Sequence, residues 1–416
     1  MFPARRAFLF LQGPRSPFFN QLGQRLTDDG HKVVKVNFST GDQAIWHGKL
    51  TETFRDPWPM LGEFIVELWR RHEITDQVAF DDCRLAHRAV IPVARRRGIR
   101  SHVLEAGYLH PHWVTLEREG ANGYSLLPRD PEWYHSVGPT IPHALPPRPF
   151  RQTFTTRAAH DVGYHLAQLV NPVMFWQTRG HARLPGASHS PGTFRQLVAL
   201  NRRRSLERCR KLIGEGGPFY LFPLQPAEDP RIRWHSSLAD RWEALERVIR
   251  SFACFAPGRA RLVVIDRAGD LSSGDARRLR GLARETEIGD RLIVMPGGDL
   301  NRLIEHASGL VTINGSEGLM AIESECPTVV LGQAIYRMPG LISPSSLDDF
   351  WRHPISPDRR LFRSFAKVLT HATQINGGFF SREGIDLAVV NAVSHLTDNV
   401  SPIERLLWDS RLPVAS

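Results

Sequence analysis

Two carboxylates, each following an apolar run, are the strongest candidates for chemistry in this 416-residue chain. Asp229 lies in Phe222-Pro223-Leu224-Gln225-Pro226-Ala227-Glu228-Asp229-Pro230-Arg231-Ile232-Arg233-Trp234-His235-Ser236. A carboxylate there could serve as a nucleophile, with Arg231 or His235 holding an anionic donor; the same residues would also make an ordinary surface turn. Glu105 opens Glu105-Ala106-Gly107-Tyr108-Leu109-His110-Pro111-His112-Trp113. Partial burial beside a glycine would suit its carboxyl to proton transfer. The aromatic and histidine side chains around it could form a platform for a sugar or a lipid, or simply pack.

Three further stretches offer anion-binding groups. Gly13 and Ser16 lie in Gln12-Gly13-Pro14-Arg15-Ser16-Pro17-Phe18-Phe19, a turn ahead of a helix whose free N–H groups would face an anion. The pattern is not G-x-G-x-x-G, which argues against a dinucleotide site. Asn314-Gly315-Ser316-Glu317-Gly318 passes from strand to helix and presents amide and hydroxyl donors to a phosphate, or caps a helix for structural reasons alone. Asp81-Asp82-Cys83-Arg84 and His87 follow an apolar strand, where side chains of α/β sheets often face a cleft. Asp81 or Asp82 could equally cap a helix.

Positioning these groups requires strands that end at them. Residues 7–11, 32–38, 77–80 and 101–104 read as strands, with helices near 18–27 and 87–97. In the second half the strands fall at 219–223, 260–265, 291–295, 309–313 and 328–331, with helices at 238–252 and 317–323. Strands alternating with helices imply βαβ units and a mostly parallel sheet. Between the two series, residues 136–151 are too rich in proline for a regular element. Helical patterns follow at 155–174 and 193–213, and Gly214-Glu215-Gly216-Gly217-Pro218 marks a break. The expected architecture is α/β: two Rossmann-like domains, 1–213 and 214–416, facing a central cleft, the last helices packing back on the first domain.

Composition narrows the function classes. With 42% apolar and 23% charged residues the chain is globular and not disordered. Lys and Arg number 53 against 43 acids, a net charge of +10, and only five of the 53 are lysine. Such a field favours anionic partners, although an arginine excess also follows from a GC-rich coding sequence. The basic residues are dispersed apart from 95–97 and 202–204, without a helix-turn-helix or RNP motif, so nucleic acid is not expected. Four distant cysteines suggest reduced cytoplasmic thiols and neither a disulfide framework nor a zinc site. No run approaches 18 apolar residues, and 7–11 is too short for a signal peptide.

Taken together, these stretches resemble the KpsS/LipB-type capsule polysaccharide proteins, a family of retaining β-Kdo transferases. The resemblance runs through FLFLQGPRSPFF, NFSTGDQAIW, FDDCRLAH, EAGYLHPHWVTLEREGANGYSLLPRDPEWY, FPLQPAEDPRIRWHS, VTINGSEGLMAIESECPTVVLGQAIYRMPGLI and TQINGGFF, in order from Phe8 to Phe380. It implies a GT-B architecture with an acceptor-binding first domain and a CMP-Kdo-binding second one. Asp229, following Gln225, matches the nucleophilic aspartate of a double displacement, and Glu105 the acid/base of a Glu-(Asp/Glu)-Gly-(Phe/Tyr) motif. Asn314, Ser316 and Gly318 match the turn that holds CMP, with Arg231, His235, Ser236 and Arg267 on the donor side. Gly13, Ser16, Phe18, Asp42, Arg84, His87 and Tyr108 fall on the acceptor or cleft side.

The resemblance further implies a CMP-sugar donor, no cofactor and no metal, because amides and basic side chains would neutralise the leaving phosphate. The implied partners are a phosphatidylglycerol-type anionic lipid at the inner face of the cytoplasmic membrane and other capsule assembly proteins. Two motifs depart from the family. Its Lys/His-Pro pair is replaced after Ile265 by Asp266-Arg267-Ala268, and its N-S-T-x-G by Asn314-Gly315-Ser316-Glu317-Gly318. Either Arg267 substitutes, the donor differs, or activity is reduced; the last reading makes the chain an assembly or export scaffold.

Overall fold

Residues 7–10, Ala-Phe-Leu-Phe, show how the sheets form: all four are buried, and they alternate between two apolar layers. Phe8 and Phe10 pack with Leu22 and Leu26 of one helix (Phe18–Asp28) and with Ala388 and Leu396 of another (Arg382–Thr397). Ala7, Leu9 and Leu11 pack against Ile65 and Leu68 of a third (Leu61–His72). Burial on both faces is why parallel strands read as continuous apolar runs. The computed structural model describes residues 5–109, 111–151, 157, 160, 162, 164, 166–167, 205–267 and 269–410.

The chain forms two compact units. The first comprises Met1–Leu127, Ile141–Ala187 and Lys367–Ser416. Its sheet contains β1 (Ala7–Phe10), β2 (Lys32–Asn37), β3 (Thr51–Thr53), β4 (Asp76–Phe80), β5 (Arg100–Ala106), β6 (Trp113–Arg118) and β12 (Gln374–Asn376). Across the sheet the order is β12-β6-β5-β4-β1-β2-β3. β3 to β5 are mutually parallel, while β6 is antiparallel to both β5 and β12. The parallel order 3-2-1-4-5 reverses between β1 and β4, which is the doubly wound pattern.

A buried ion cluster fastens the returning C-terminal segment at the start of these strands. Asp76 accepts from His102 Nε2 at 2.9 Å and faces Arg100 Nε at 2.8 Å and Arg6 Nη1 at 3.3 Å. Arg6 then donates to Leu396 O and to Asn399 Oδ1, at 2.9 and 2.7 Å. Burial opposes the Asp76 charge, but the His102 and Thr75 hydrogen bonds and Arg100 outweigh it and hold the carboxyl down at about 2.

The second unit comprises Pro128–Thr140 and Ser188–Ala366. Its strands are β7 (Phe219–Pro223), β8 (Arg261–Ile265), β9 (Leu292–Met295), β10 (Gly309–Thr312) and β11 (Thr328–Val330). All are parallel, in the order β11-β10-β7-β8-β9, so the same winding recurs with its reversal between β7 and β10. Tyr220 and Phe222 face one layer with Phe252 and Trp351; Phe219 and Leu221 face the other with Leu303 and Cys326. The helix Arg241–Phe255 starts where Asp240 accepts from the N–H groups of Trp242 and Glu243.

Several expectations need correction. The units do not part at a single point near 213: Pro128–Thr140 belongs with the second. The helix expected over 87–97 is two, Leu85–Arg88 and Ile91–Arg96, the second carrying Pro92 in its first turn, where its missing N–H is tolerated. A helix (Pro131–Val137) and a 3-10 turn (Gly138–Thr140) occupy the start of the proline-rich segment. The strand expected over 101–104 extends over Arg100–Ala106 and so includes Glu105. The helices expected at 155–174 and 193–213 fall largely outside the described residues; within them, 205–214 is helical. No helix among the described residues is long and apolar enough to cross a membrane.

Candidate active site

In the second unit the candidate residues converge where the strand order reverses. Gln225, two residues past β7, is buried, and its carboxamide lies against Asn314, two residues past β10. Gln225 Nε2 donates to Asn314 Oδ1 at 2.8 Å, and Asn314 N donates to Gln225 Oε1 at 3.2 Å. Gln225 Nε2 also reaches Asp229 Oδ2 at 3.0 Å. Asn314 Nδ2 donates to Arg231 O at 2.9 Å and His235 O at 3.3 Å, tying the loop after β7 to the turn after β10.

Asp229 is both an N-cap and a clamped anion. Its side chain is 4% exposed, and Oδ1 accepts from Arg231 N at 3.0 Å at the start of the short helix Pro230–Trp234. The Arg231 guanidinium grips both oxygens, Nε to Oδ1 at 3.0 Å and Nη2 to Oδ2 at 3.1 Å. Burial would raise this carboxyl, yet Arg231 and Gln225 hold it below its ordinary value, so it is ionised at neutral pH. Both carboxylate oxygens of Asp229 are therefore occupied, Oδ1 by Arg231 and Oδ2 by Arg231 and Gln225. Arg241, buried behind the loop, pairs with Asp270 and donates to Gln225 O at 3.4 Å.

The remaining donor-side candidates are placed as follows. His235 is buried. The Ser236 hydroxyl donates to Ile232 O, inside its own turn. Arg267 pairs with Glu317 at 2.6 Å, so the residue expected to replace the family's histidine is held by the other departing residue. Asp266 folds its own loop, accepting from the N–H groups of Gly269, Asp270 and Leu271 at 2.9, 3.3 and 3.2 Å. Ser316 is the first residue of the helix Ser316–Glu323. Gly318 lies under Tyr336, where a Cβ would come within 2.4 Å of the phenol oxygen. That phenol donates to Gly315 O and shapes the turn.

In the first unit, Glu105 is buried near the end of β5, and its Oε2 accepts from Asn122 Nδ2 at 2.9 Å. Tyr108 Oη accepts from Asn122 N at 2.7 Å and donates to Glu117 Oε1 at 2.6 Å. Arg84 Nη1 donates to Gly13 O at 2.8 Å, joining the turns after β1 and β4 at the second reversal point. Asp81, in the left-handed region at φ 71°, lends its carbonyl to His87 Nδ1 at 2.5 Å. Burial, with Arg84 adding to it, pushes His87 down to about 3, so it stays neutral.

Other cleft-side candidates serve the fold. Phe18 is fully buried with its ring 5.0 Å from that of Phe379, a core position rather than a cleft wall. Ser16 is fully buried, and its Oγ accepts from Phe18 N at 3.5 Å. Asp42 accepts from Phe38 N and Tyr164 Oη, both at 3.1 Å, within a turn capped by Ser39.

Lys35, Glu117, Asn122 and Arg241 escaped the sequence reading. Lys35 is buried in β2, and burial, opposed by Asp42, lowers its ammonium to about 8. Its signal was a lysine flanked by valines in the middle of Lys-Val-Val-Lys-Val-Asn.

Two Rossmann-like units in one chain, each with polar side chains gathered where its strand order reverses, make this a GT-B-like α/β protein. The chain belongs to the capsule polysaccharide biosynthesis protein family, whose model matches residues 75–380. Every candidate from Arg84 to Gly318 lies within that match; Gly13, Ser16, Phe18 and Asp42 precede it. The chain is 31% identical over 384 residues to the capsule polysaccharide modification protein LipB of Neisseria meningitidis serogroup B, covering 90% of this chain and 91% of LipB. It is 30% identical to the capsule polysaccharide export protein KpsS of Escherichia coli, covering 90% and 97%. Among solved structures it is similar to the β-Kdo 2,7 transferase of Thermosulfurimonas dismutans KpsC, at 11% identity, 94% and 99% coverage and a TM-score of 0.44.

Proposed function

We propose that this chain is a glycosyltransferase of capsule polysaccharide biosynthesis. It would transfer β-Kdo, or a similar ulosonic acid, from a CMP donor to a phosphatidylglycerol-type lipid, with retention. The observation that carries this reading is Asp229, a buried, ionised carboxylate in the loop after β7, linked through Gln225 to the Asn314 turn. Amide and hydroxyl donors at Asn314 and Ser316 would take the CMP phosphate, and arginines the sugar carboxylate.

In the first step Asp229 bonds to the anomeric carbon, and the bond to the CMP phosphate breaks with its electron pair leaving on CMP. In the second, an acceptor hydroxyl gives its proton to Glu105 and displaces Asp229, so two inversions give net retention. Arg231 must move from Asp229 to the donor's anionic groups for the first step to begin. The +10 charge suits a protein working at the anionic inner face of the cytoplasmic membrane, as a peripheral protein alongside other capsule assembly proteins.

A second reading is an assembly or export scaffold without turnover. The bidentate Arg231 clamp and the Arg267–Glu317 pair favour it, since both occupy groups that catalysis would need. Incubation with CMP-Kdo and a phosphatidylglycerol-type acceptor separates the two. Transfer, with a sugar adduct seen by intact mass on wild type and missing from Asp229→Ala, supports the enzyme. Near-normal transfer by Asp229→Ala sinks double displacement, and no transfer by wild type supports the scaffold.

A further inference from the structure

A second buried carboxylate, Glu117, sits on the same face of the sheet as Glu105. In the antiparallel register Glu105 lies opposite Thr115 and Val103 opposite Glu117, so the two glutamates are diagonal neighbours. Both side chains are almost wholly buried. A carboxylate in such a place is expensive unless hydrogen-bonded, and Glu117 has two hydroxyl donors. Tyr108 Oη reaches Oε1 at 2.6 Å, and Ser125 Oγ donates to Oε2.

These donors continue toward Glu105. Tyr108 Oη, while donating its hydrogen bond to Glu117, accepts from the backbone N–H of Asn122 at 2.7 Å. Asn122 adopts the left-handed conformation at φ 51°, which asparagine tolerates better than most residues. Its side-chain amide then donates to Glu105 Oε2 at 2.9 Å. Asp82 secures the neighbouring backbone by accepting from Ala121 N at 2.9 Å. One residue therefore bridges the two glutamates, with its backbone toward one and its side chain toward the other.

We propose that Glu117 is a positioning residue that orients Glu105 through Tyr108 and Asn122, and that its protonation switches this chain. The inference rests on the reading of Glu105 as the acid/base above. Ionised Glu117 accepts from both hydroxyls and keeps the chain intact. Once protonated, it must donate one of those bonds, and either Tyr108 or Ser125 has to turn. Burial, opposed by the Ser125 and Tyr108 hydrogen bonds and reinforced by Asp82, pushes Glu117 up to about 7, so the switch operates near neutral pH. The titratable groups facing it are Tyr108 from the β5–β6 hairpin, Asp82 from the turn after β4 and Glu105 across the Asn122 bridge.

The test uses the full chain and three proteins: wild type, Glu117→Gln and Tyr108→Phe. Glutamine keeps an acceptor for Tyr108 and offers Ser125 a donor, but does not titrate. With CMP-Kdo and a phosphatidylglycerol-type acceptor, wild-type kcat should fall as pH drops below about 7. Glu117→Gln should lose that limb with KM for the donor unchanged. Tyr108→Phe should be slower by about tenfold across the range, the equivalent of one hydrogen bond. Independently of turnover, the carbon-13 signal of the Glu105 carboxyl should step near pH 7 in wild type and not in Glu117→Gln. Persistence of the step or of the kinetic limb in Glu117→Gln overturns the inference. The expected NMR behaviour without transfer at any pH would uphold the chain of contacts and refute the transferase reading instead.

Discussion

Gln225 and Asn314 exchange two hydrogen bonds across the ends of β7 and β10, one from a side-chain amide at 2.8 Å and one from a backbone N–H at 3.2 Å. The same Gln225 amide steadies Asp229 at 3.0 Å. A single buried side chain thus fixes the candidate nucleophile relative to the candidate phosphate turn. Gln225→Leu would strip Asn314 N, Asn314 Oδ1 and Asp229 of a buried partner. Each such loss costs about 1–3 kcal/mol. The variant should unfold at lower urea and bind CMP more weakly; unchanged unfolding and unchanged CMP affinity would contradict this role.

Gly318 is needed because Tyr336 occupies the space a side chain would take. Gly318→Ala places a methyl within 2.4 Å of the Tyr336 oxygen, which in turn holds Gly315 O. Overpacking of this kind costs about 1–3 kcal/mol. Thermal melting should show the loss, and adding Tyr336→Phe should restore part of it by removing the clashing oxygen, a non-additive pair. Strictly additive effects would show that the two residues do not compete for that space.

Two buried carboxyls give stability opposite pH dependences. Asp76 is held at about 2 against an ordinary 3.8, so its stabilisation is present above the ordinary value and lost as pH falls through 2. That difference corresponds to about 2 kcal/mol. Glu117, at about 7 against 4.5, favours the folded state below 4.5, and this stability is lost as pH rises through 7, about 3 kcal/mol in all. Asp76→Asn should destabilise the chain by about 3 kcal/mol at neutral pH, because Arg6 keeps a buried, unmatched charge and Arg100 a partly buried one. Glu117→Gln should flatten the decline between pH 4.5 and 7. Urea unfolding across that range checks both, and a Glu117→Gln profile parallel to wild type would rule out its contribution.

The apolar strands were legible because a parallel sheet covered on both faces writes itself as short runs such as Phe219–Pro223, whose bounds match the sequence reading. β3, Thr-Glu-Thr, carries no such signal at the sheet edge. β12 is a strand only because β6 lies beside it, and its Ile375 pairs with Val114, 261 positions earlier in the chain, a separation no local pattern spans.

Glu105, Gln225, Asp229 and Asn314 could be named from residue type and position at or just past the end of an apolar run. Residue type could not show that Arg231 clamps Asp229, that Arg267 is taken by Glu317, or that Phe18 is core. Glu117 looks like any polar residue of an alternating strand until Tyr108, Ser125 and Asn122 close over it.

The sequence alone determined the two doubly wound series, the strand ends at which polar groups gather, and the family. Those depend on local periodicity and on motifs a few residues long. The tertiary structure decided which carboxylates are buried, which arginines are spent on them, and that Pro128–Thr140 belongs with the second unit. Burial and partner choice depend on contacts between residues far apart in the chain, and proton affinity follows from both.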